Sequence, residues 1–401
     1  MSPEKTKTKK VKPTKKTSRK KPAKRSRTKA REVLVTGYPG FIGKRLVRKL
    51  LQTEPESNFY LLVQEKFVED AKRYVRSFRS KNLERVNILT GDIADMHLGL
   101  SASELKQLTR GVTDIYHLAA VSYLGAPERM MKRVNVDGTQ NLLEVALDTR
   151  KLRRFNHVST SYVSGDREGV ITEDELDCEQ GFRNPYEKTK FLAEQRVRAA
   201  MDKLPITITR PSIVIGDSKT GEIGRFDGPY YLAILLASSP AAMSLVFPGD
   251  GGAPLNMVPV DYAVDAIVHL SEHAEAEGMT FQLVDPNALS VKRVYQLIGE
   301  RAGIPTGRIR FGSGLTRTLL GGLSSALQLI PGLEQASRAP RQAIDLVNTM
   351  AIYNDTNTQR LLKNSGIECP PFEDYVDNLF TYVRNKLVQK RKREMDEDPL
   401  A

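Results

Sequence analysis

The 401-residue sequence predicts an α/β fold: a doubly wound parallel sheet with a smaller, mostly helical C-terminal substrate region. Three observations predict it. Short apolar runs of strand length alternate with segments of helical periodicity between residues 32 and 211. The first run leads directly into Thr36-Gly37-Tyr38-Pro39-Gly40-Phe41-Ile42-Gly43, a glycine-spaced turn between strand and helix. Much later, Tyr186 and Lys190 stand four apart on a helical segment, so they share one face.

In chain order, Glu32 to Thr36 is a buried strand, and Phe41 to Leu51 places Phe41, Ile42, Leu46, Val47, Leu50 and Leu51 at helical spacing. Asn58 to Gln64 reads as a second strand, and a charged helix follows over about Lys66 to Ser80. Val86 to Thr90 and Asp114 to Ala119 are the third and fourth strands, Asn135 to Leu147 a helix, and Phe155 to Ser159 the fifth strand. Tyr186 to Met201 is a helix and Ile206 to Pro211 the sixth strand. Beyond Pro211 the rhythm loosens. Two stretches without charge, Gly228 to Gly249 and Thr318 to Leu333, read as buried helices of a second domain or as a lid lining an apolar substrate site. Pro240 argues against a membrane span in the first.

Charge divides the chain. Residues 1–31 hold 15 Lys or Arg against the single acid Glu4, whereas the other 370 residues hold 46 basic and 47 acidic side chains. The net +13 therefore describes a tail and not the folded body. With almost no apolar residues, residues 1–30 read as a disordered basic tail without a signal-peptide core, able to contact nucleic acid or an anionic membrane by charge alone, or simply a solubilising extension. Cys178 and Cys369 form no metal-ligand or disulfide pattern, and no metal site is expected. Such cysteine usage fits a cytoplasmic setting, with peripheral membrane contact as an addition. His269 and His273, four apart, read as helix-surface residues.

The glycine turn has the makings of a dinucleotide fingerprint. Gly37 permits the tight turn, Gly40 lets backbone approach a pyrophosphate, Gly43 lets helix pack on strand, and the helix N-terminus faces the phosphates. Gln64 ends the second strand, where an acid would bond a ribose 2′-hydroxyl; with Lys66 close by, the set favours NADP over NAD. Tyr186 can donate a proton to a carbonyl if a cation lowers its pKa, and Lys190 is placed to do so. A hydroxyl beside it is needed to orient the carbonyl, and His157-Val158-Ser159-Thr160-Ser161 supplies one at the end of the fifth strand. Two partial copies lack this context: Tyr382 with Lys386, and Thr220-Gly221-Glu222-Ile223-Gly224.

Taken together, TGYPGFIG (36–43), GDIAD (91–95), TDIYHLAA (113–120), NVDGT (135–139), HVSTSYVSG (157–165), NPYEKTK (184–190), RPSIVIGD (210–217) and VPVDYAVDAI (258–267) resemble the extended short-chain dehydrogenase/reductase superfamily from about residue 31 to 385. Within it, HVSTSYV, RPSIVIGDSKTGE and VPVDY are most similar to the fatty-acyl reductase branch, also called male-sterility or thioester-reductase-like. The resemblance implies that Asp92 and Ile93 border the adenine, Ala119 and Ala120 line the cofactor channel, and Pro211 and Ser212 pass the nicotinamide. It also implies that Thr160 is the catalytic hydroxyl, with Ser159 its neighbour, and that Asn135 supports the site. The branch often carries Arg where Gln64 stands, a departure that bears on the cofactor.

The resemblance thus implies a Rossmann NAD(P)-binding domain over 31–215 with a return near 255–270, a substrate or lid region over 216–254 and 271–388, and a charged tail over 389–401. The function expected is NAD(P)H-dependent reduction of a lipophilic carbonyl: a fatty acyl thioester, on a carrier or free, a long-chain aldehyde or a 3-keto acid. A homodimer is implied by resemblance. The alternatives are a nucleotide-sugar epimerase or dehydratase, a sterol-type hydroxy-dehydrogenase, or a non-catalytic cofactor sensor with a nucleic-acid-binding tail.

Overall fold

The computed structural model describes residues 30–224 apart from 124, and residues 245–248, 250–301, 303, 309–312 and 349–397. The chain order is β1 (Glu32–Thr36), α1 (Phe41–Thr53), β2 (Asn58–Val63), α2 (Val68–Val75), α3 (Ser80–Leu83), β3 (Val86–Thr90), α4 (Ala102–Gly111), β4 (Asp114–His117) and α5 (Glu128–Met131). A π-turn over Lys132–Asp137 joins α5 to α6 (Gly138–Leu147). Then come β5 (Arg154–Val158), β6 (Gly169–Ile171), α7 (Pro185–Ala199), β7 (Ile206–Pro211), β8 (Ile213–Ile215), β9 (Leu245–Pro248), β10 (Met257–Pro259) and α8 (Val260–Glu272). The chain continues with β11 (Thr280–Leu283), α9 (Val291–Arg301), β12 (Ile309–Gly312), β13 (Ala351–Tyr353), α10 (Thr356–Leu362) and α11 (Phe372–Glu397).

Seven strands form one parallel sheet in the order β11-β7-β5-β4-β1-β2-β3. The order reverses between β1 and β4, which opens a crevice at the carboxyl ends of those two strands. Alternation along each strand supplies both faces. Val33, Val35, Leu61 and Phe281 pack with Leu46, Leu50, Ala263 and Ile267 on one side. Leu34, Ile115, Phe155 and Ile208 pack with Leu142, Ala146 and Val197 on the other. Helices from α1 and α8, and from α6 and α7, thus cover the two faces, as an all-parallel sheet requires.

The seventh strand corrects the sequence reading. β11 lies within 271–388, the stretch assigned to the substrate region, yet it pairs with β7 over Thr280↔Ile208 to Leu283↔Pro211. Four residues with a polar Gln282 at the third position carry no clear strand signal, but all four are buried. The outward-facing groups of β11 meet side chains. Glu173 Oε1 accepts the Gln282 N–H at 2.9 Å, the Gln282 carbonyl accepts the Thr358 hydroxyl at 2.9 Å, and the Thr280 carbonyl accepts from Asn357 Nδ2 at 3.4 Å.

Other boundaries shift. The helix expected to begin at Asn135 begins at Glu128 and runs through the π-turn. His269 is half-buried, with Nε2 3.2 Å from the Leu361 carbonyl, so it is not a surface residue. The charged run from Gln389 lies within α11. The basic tail falls outside the described residues, as do the two uncharged stretches except β9, which pairs with β12. Among the described residues no helix is long and apolar enough to cross a membrane, and no three His, Cys, Asp or Glu side chains gather as metal ligands.

Candidate active site

Nearly every sequence-selected residue stands at the carboxyl end of a strand or on a helix packed against it. The glycine turn follows β1. Gly37 has φ +80°, and a Cβ there would meet the Leu118 carbonyl carbon at 2.7 Å and Ala119 N at 2.8 Å. Cβ atoms on Gly40 or Gly43 would each strike the Gly37 carbonyl oxygen, at 2.7 and 2.8 Å. The three glycines are therefore one device: the first closes on the β4 loop, and the others clear its carbonyl. Pro39, Phe41 and Ile42 are half-buried around this turn, and Gly40 is exposed. Tyr38 turns inward, edge-on to Tyr74 at 6.3 Å between ring centroids.

At the end of β2, Gln64 Nε2 donates to Asp92 Oδ2 at 2.9 Å, and Asp92 Oδ1 accepts the Ala94 N–H at 2.9 Å. Lys66 is exposed on the following turn, its ammonium 5.0 Å from the centroid of the Phe67 ring. Ile93 packs against Gly138 at the start of α6, where a Cβ would come within 2.8 Å of its side chain. Ala119 and Ala120 are half-buried after β4, and the Ala119 N–H bonds Thr36 Oγ1 at 3.2 Å.

Asn135 sits in the π-turn and is buried. Its Oδ1 accepts the Val121 N–H at 2.7 Å, and its Nδ2 donates to the Val121 carbonyl at 3.1 Å and to Thr189 Oγ1 at 3.0 Å. One side chain thereby ties the loop after β4 to α7. The first turn of α7 is fixed by its own sequence: Asn184 caps it by accepting the Glu187 N–H at 3.0 Å, and Pro185 occupies the first helical position.

Tyr186 is half-buried on that turn. Lys190, four residues on and buried, donates from Nζ to the Val158 carbonyl at 2.9 Å, at the end of β5. Burial lowers its pKa to about 8, against the opposing pull of Glu194. The three hydroxyls after Val158 differ in their commitments. Ser159 donates to Glu194 Oε2 at 2.6 Å and Ser161 to the Arg210 carbonyl at 2.9 Å. Thr160 Oγ1 accepts the Tyr162 N–H at 3.3 Å, which leaves its own O–H to offer elsewhere.

Sequence reading missed what lies beneath this constellation. Glu194, at the next i+4 position after Lys190, is fully buried with Arg210 of β7, whose Nη2 donates to Glu194 Oε1 at 2.6 Å. Burial pushes the Glu194 carboxyl up, but the Arg210 guanidinium prevails and holds it below the usual range. The signal was the repeat Tyr186, Lys190, Glu194 on one helical face, although charged residues on a helix ordinarily read as solvated. His117 was missed too: it is buried in β4, with Nδ1 2.8 Å from Thr36 Oγ1. The partial copies prove different. Lys386 lies 5.5 Å over the ring of Tyr382 itself on α11, and Gly221 packs against the Asn378 backbone.

The residues fit a dinucleotide on structural grounds. Gly40 is exposed at the N-cap of α1, so no side chain stands between a pyrophosphate and the backbone N–H groups that open this helix. Beyond β7, where Pro211 is buried, the Ser212 hydroxyl oxygen is also buried and meets no partner among the described residues, as a group awaiting a polar ligand would.

A family model described as male sterility protein matches residues 35–267. The chain is 28% identical over 366 residues to a linear gramicidin synthase polypeptide of Brevibacillus parabrevis, covering 86% of this chain and 7% of that protein. It is 28% identical over 273 residues to fatty acyl-CoA reductase wat of Drosophila melanogaster, covering 59% of this chain and 53% of that protein. The chain thus spans a small part of the first and about half of the second. Among solved structures, the terminal R domain from the myxalamid PKS-NRPS biosynthetic pathway superposes with a TM-score of 0.75 at 27% identity, covering 92% of each chain.

Proposed function

The chain belongs to the male sterility protein family, and on that premise we propose that it is an NAD(P)H-dependent reductase acting on the carbonyl of a lipophilic substrate, foremost a fatty acyl thioester. The observation that carries the reading is Lys190. Its buried ammonium stands one helical turn from Tyr186 and is bonded to the carbonyl of Val158, two residues before the hydroxyl of Thr160. The names of the similar proteins, a fatty acyl-CoA reductase and a terminal R domain, support the substrate class.

The glycine turn would hold the pyrophosphate, Asp92 and Ile93 the adenine side, Ala119 and Ala120 the channel, and Pro211 and Ser212 the nicotinamide. Bound there, the cofactor supplies hydride to the carbonyl carbon. Tyr186 gives its phenolic proton to the carbonyl oxygen, and Thr160 aims the carbonyl by donating a hydrogen bond to that oxygen. The Lys190 cation favours the phenolate that Tyr186 becomes. Asn135 keeps α7 in register with the loop after β4. With a thioester, the C–S bond then breaks, the thiol leaves with a proton, and an aldehyde remains.

NADPH is the favoured reductant. The Asp92 carboxylate is engaged by Gln64 and by the Ala94 N–H, and Lys66 is exposed nearby, so a 2′-phosphate meets a cation in place of a free acid. The test follows NADPH and NADH oxidation with a long-chain acyl-CoA and with the same acyl group on a pantetheine carrier. Tyr186→Phe serves as control, expected to lose turnover at least about 100-fold while still binding cofactor. A Tyr186→Phe variant with near-wild-type turnover would sink the proton-donor assignment. Turnover of a nucleotide sugar in place of thioesters and aldehydes would replace the substrate class.

A further inference from the structure

His117 lies behind the cofactor crevice, and its surroundings fix every proton around it. Thr139 Oγ1 is 2.6 Å from the Asn135 carbonyl oxygen, which can only accept, so Thr139 donates there. Thr139 must then accept from His117 Nε2, 2.9 Å away. Nε2 therefore carries the ring proton, and Nδ1 accepts from the Thr36 hydroxyl at 2.8 Å. Thr36 Oγ1 in turn accepts the N–H groups of Leu118 and Ala119, both at 3.2 Å. Burial and then the charge of Lys190 push the imidazole pKa down to about 3, so the ring is neutral. Reversing any bond in the series leaves a buried group without a partner, which costs about 1–3 kcal/mol.

The series continues at both ends. Thr36 is the residue before Gly37, so one end is the glycine turn. At the other end, the Asn135 side chain bonds Val121 and Thr189, and Thr189 Oγ1 donates to the carbonyls of Pro185 at 2.8 Å and Tyr186 at 3.1 Å. We propose that His117 is a positioning residue: held as the Nε2–H tautomer, it couples the glycine turn through Thr36 to the Asn135 segment through Thr139, so that seating a dinucleotide also sets the turn of α7 that bears Tyr186. The proposal rests on the dinucleotide reading above. A histidine that merely fills space would not couple its two neighbours.

Two measurements test it. The first is 15N NMR of the wild-type protein labelled at histidine, with the His117 signal assigned by its loss in His117→Asn. The expected signal is a neutral Nε2–H imidazole, unchanged between about pH 5 and 9; an Nδ1–H tautomer, or titration in that range, overturns the proposal. The second is a thermodynamic cycle of Thr36→Val and Thr139→Val read as NADPH dissociation constants from the fluorescence of bound cofactor. With His117 present, the double variant should depart from the product of the singles by about threefold or more; in a His117→Phe background the effects should multiply to within about twofold. Multiplicative effects with His117 present overturn the coupling alone. A wild-type chain that binds no dinucleotide overturns the functional reading and the coupling with it.

Discussion

Replacing the buried Lys190 with Met should stabilise the protein while destroying its activity. The displacement of this ammonium from the ordinary lysine value of 10.5 to about 8 corresponds to about 3 kcal/mol of unfavourable charging in the folded state. Met matches the length of the stem and carries no charge. Against that gain stands the bond to the Val158 carbonyl, worth about 1 kcal/mol to a neutral amine. The net expectation is about 2 kcal/mol at pH 7, or about 2–3 °C in Tm for a chain of this size. The pH dependence has a definite sign. The folded pKa lies below the unfolded one, so between about pH 8 and 10.5 the unfolded chain binds more protons than the native one. Wild-type stability from this group therefore rises across that window, and the advantage of Lys190→Met should vanish near its upper end. The sequence contains no Trp, so the assay is urea or thermal unfolding followed by circular dichroism, at pH 7 and about pH 10, alongside turnover. A Met variant less stable than wild type at pH 7, or a stability gap identical at both pH values, would refute the reasoning.

Three further outcomes follow from the geometry. Gly37→Ala should abolish cofactor binding and cost about 2–4 kcal/mol, because φ is +80° and the new Cβ meets Leu118 backbone at 2.7 Å; Gly111→Ala, where nothing lies within 4 Å, should be close to neutral in the same unfolding assay. Thr160→Ala should lower kcat about 100-fold or more with a small change in KM, whereas Ser159→Ala should act mainly on stability, by about 1–3 kcal/mol, since Ser159 serves Glu194; equal kcat losses would show that the two hydroxyls are not divided in this way. Glu194→Gln should cost about 3–5 kcal/mol by leaving Arg210 buried without its carboxylate, and most of the loss should return in the double variant Glu194→Leu with Arg210→Met; a double variant as unstable as the single would count against the pair.

Much of this molecule is legible in its sequence, for identifiable reasons. β1 and β7 fall where the apolar runs placed them, and α7 begins one residue before Tyr186, because strong β-formers and an Asn-Pro cap act locally. The glycine turn announces itself because Gly37, Gly40 and Gly43 answer to one backbone constraint. What stayed hidden depends on residues brought together from afar. β11 is a strand because β7 presents an open edge to it, and nothing in Thr280-Phe281-Gln282-Leu283 alone says so. Nothing in the sequence pairs Glu194 on a helix with Arg210 on the next strand until the fold buries them against each other. The bond from Gln64 to Asp92 spans 28 residues, so the environment at the end of β2 cannot be taken from Gln64 by itself. His117 looked idle for the same reason, since its two threonine partners come from β1 and α6.

The outer rim of β11 carries a consequence for how the protein behaves in a crowded solution. An ordinary end strand is a template on which another polypeptide can crystallise strand by strand. Here the acceptor and donor groups that such growth would need are consumed at Gln282 by Glu173 and Thr358, one from each side along the sequence. Sheet growth is therefore blocked by Glu173 together with Asn357 and Thr358 of α10, a helix laid along this edge. Loss of the Glu173 carboxylate would bare the Gln282 N–H at this rim and should surface as filament formation and loss of soluble protein, a colloidal failure.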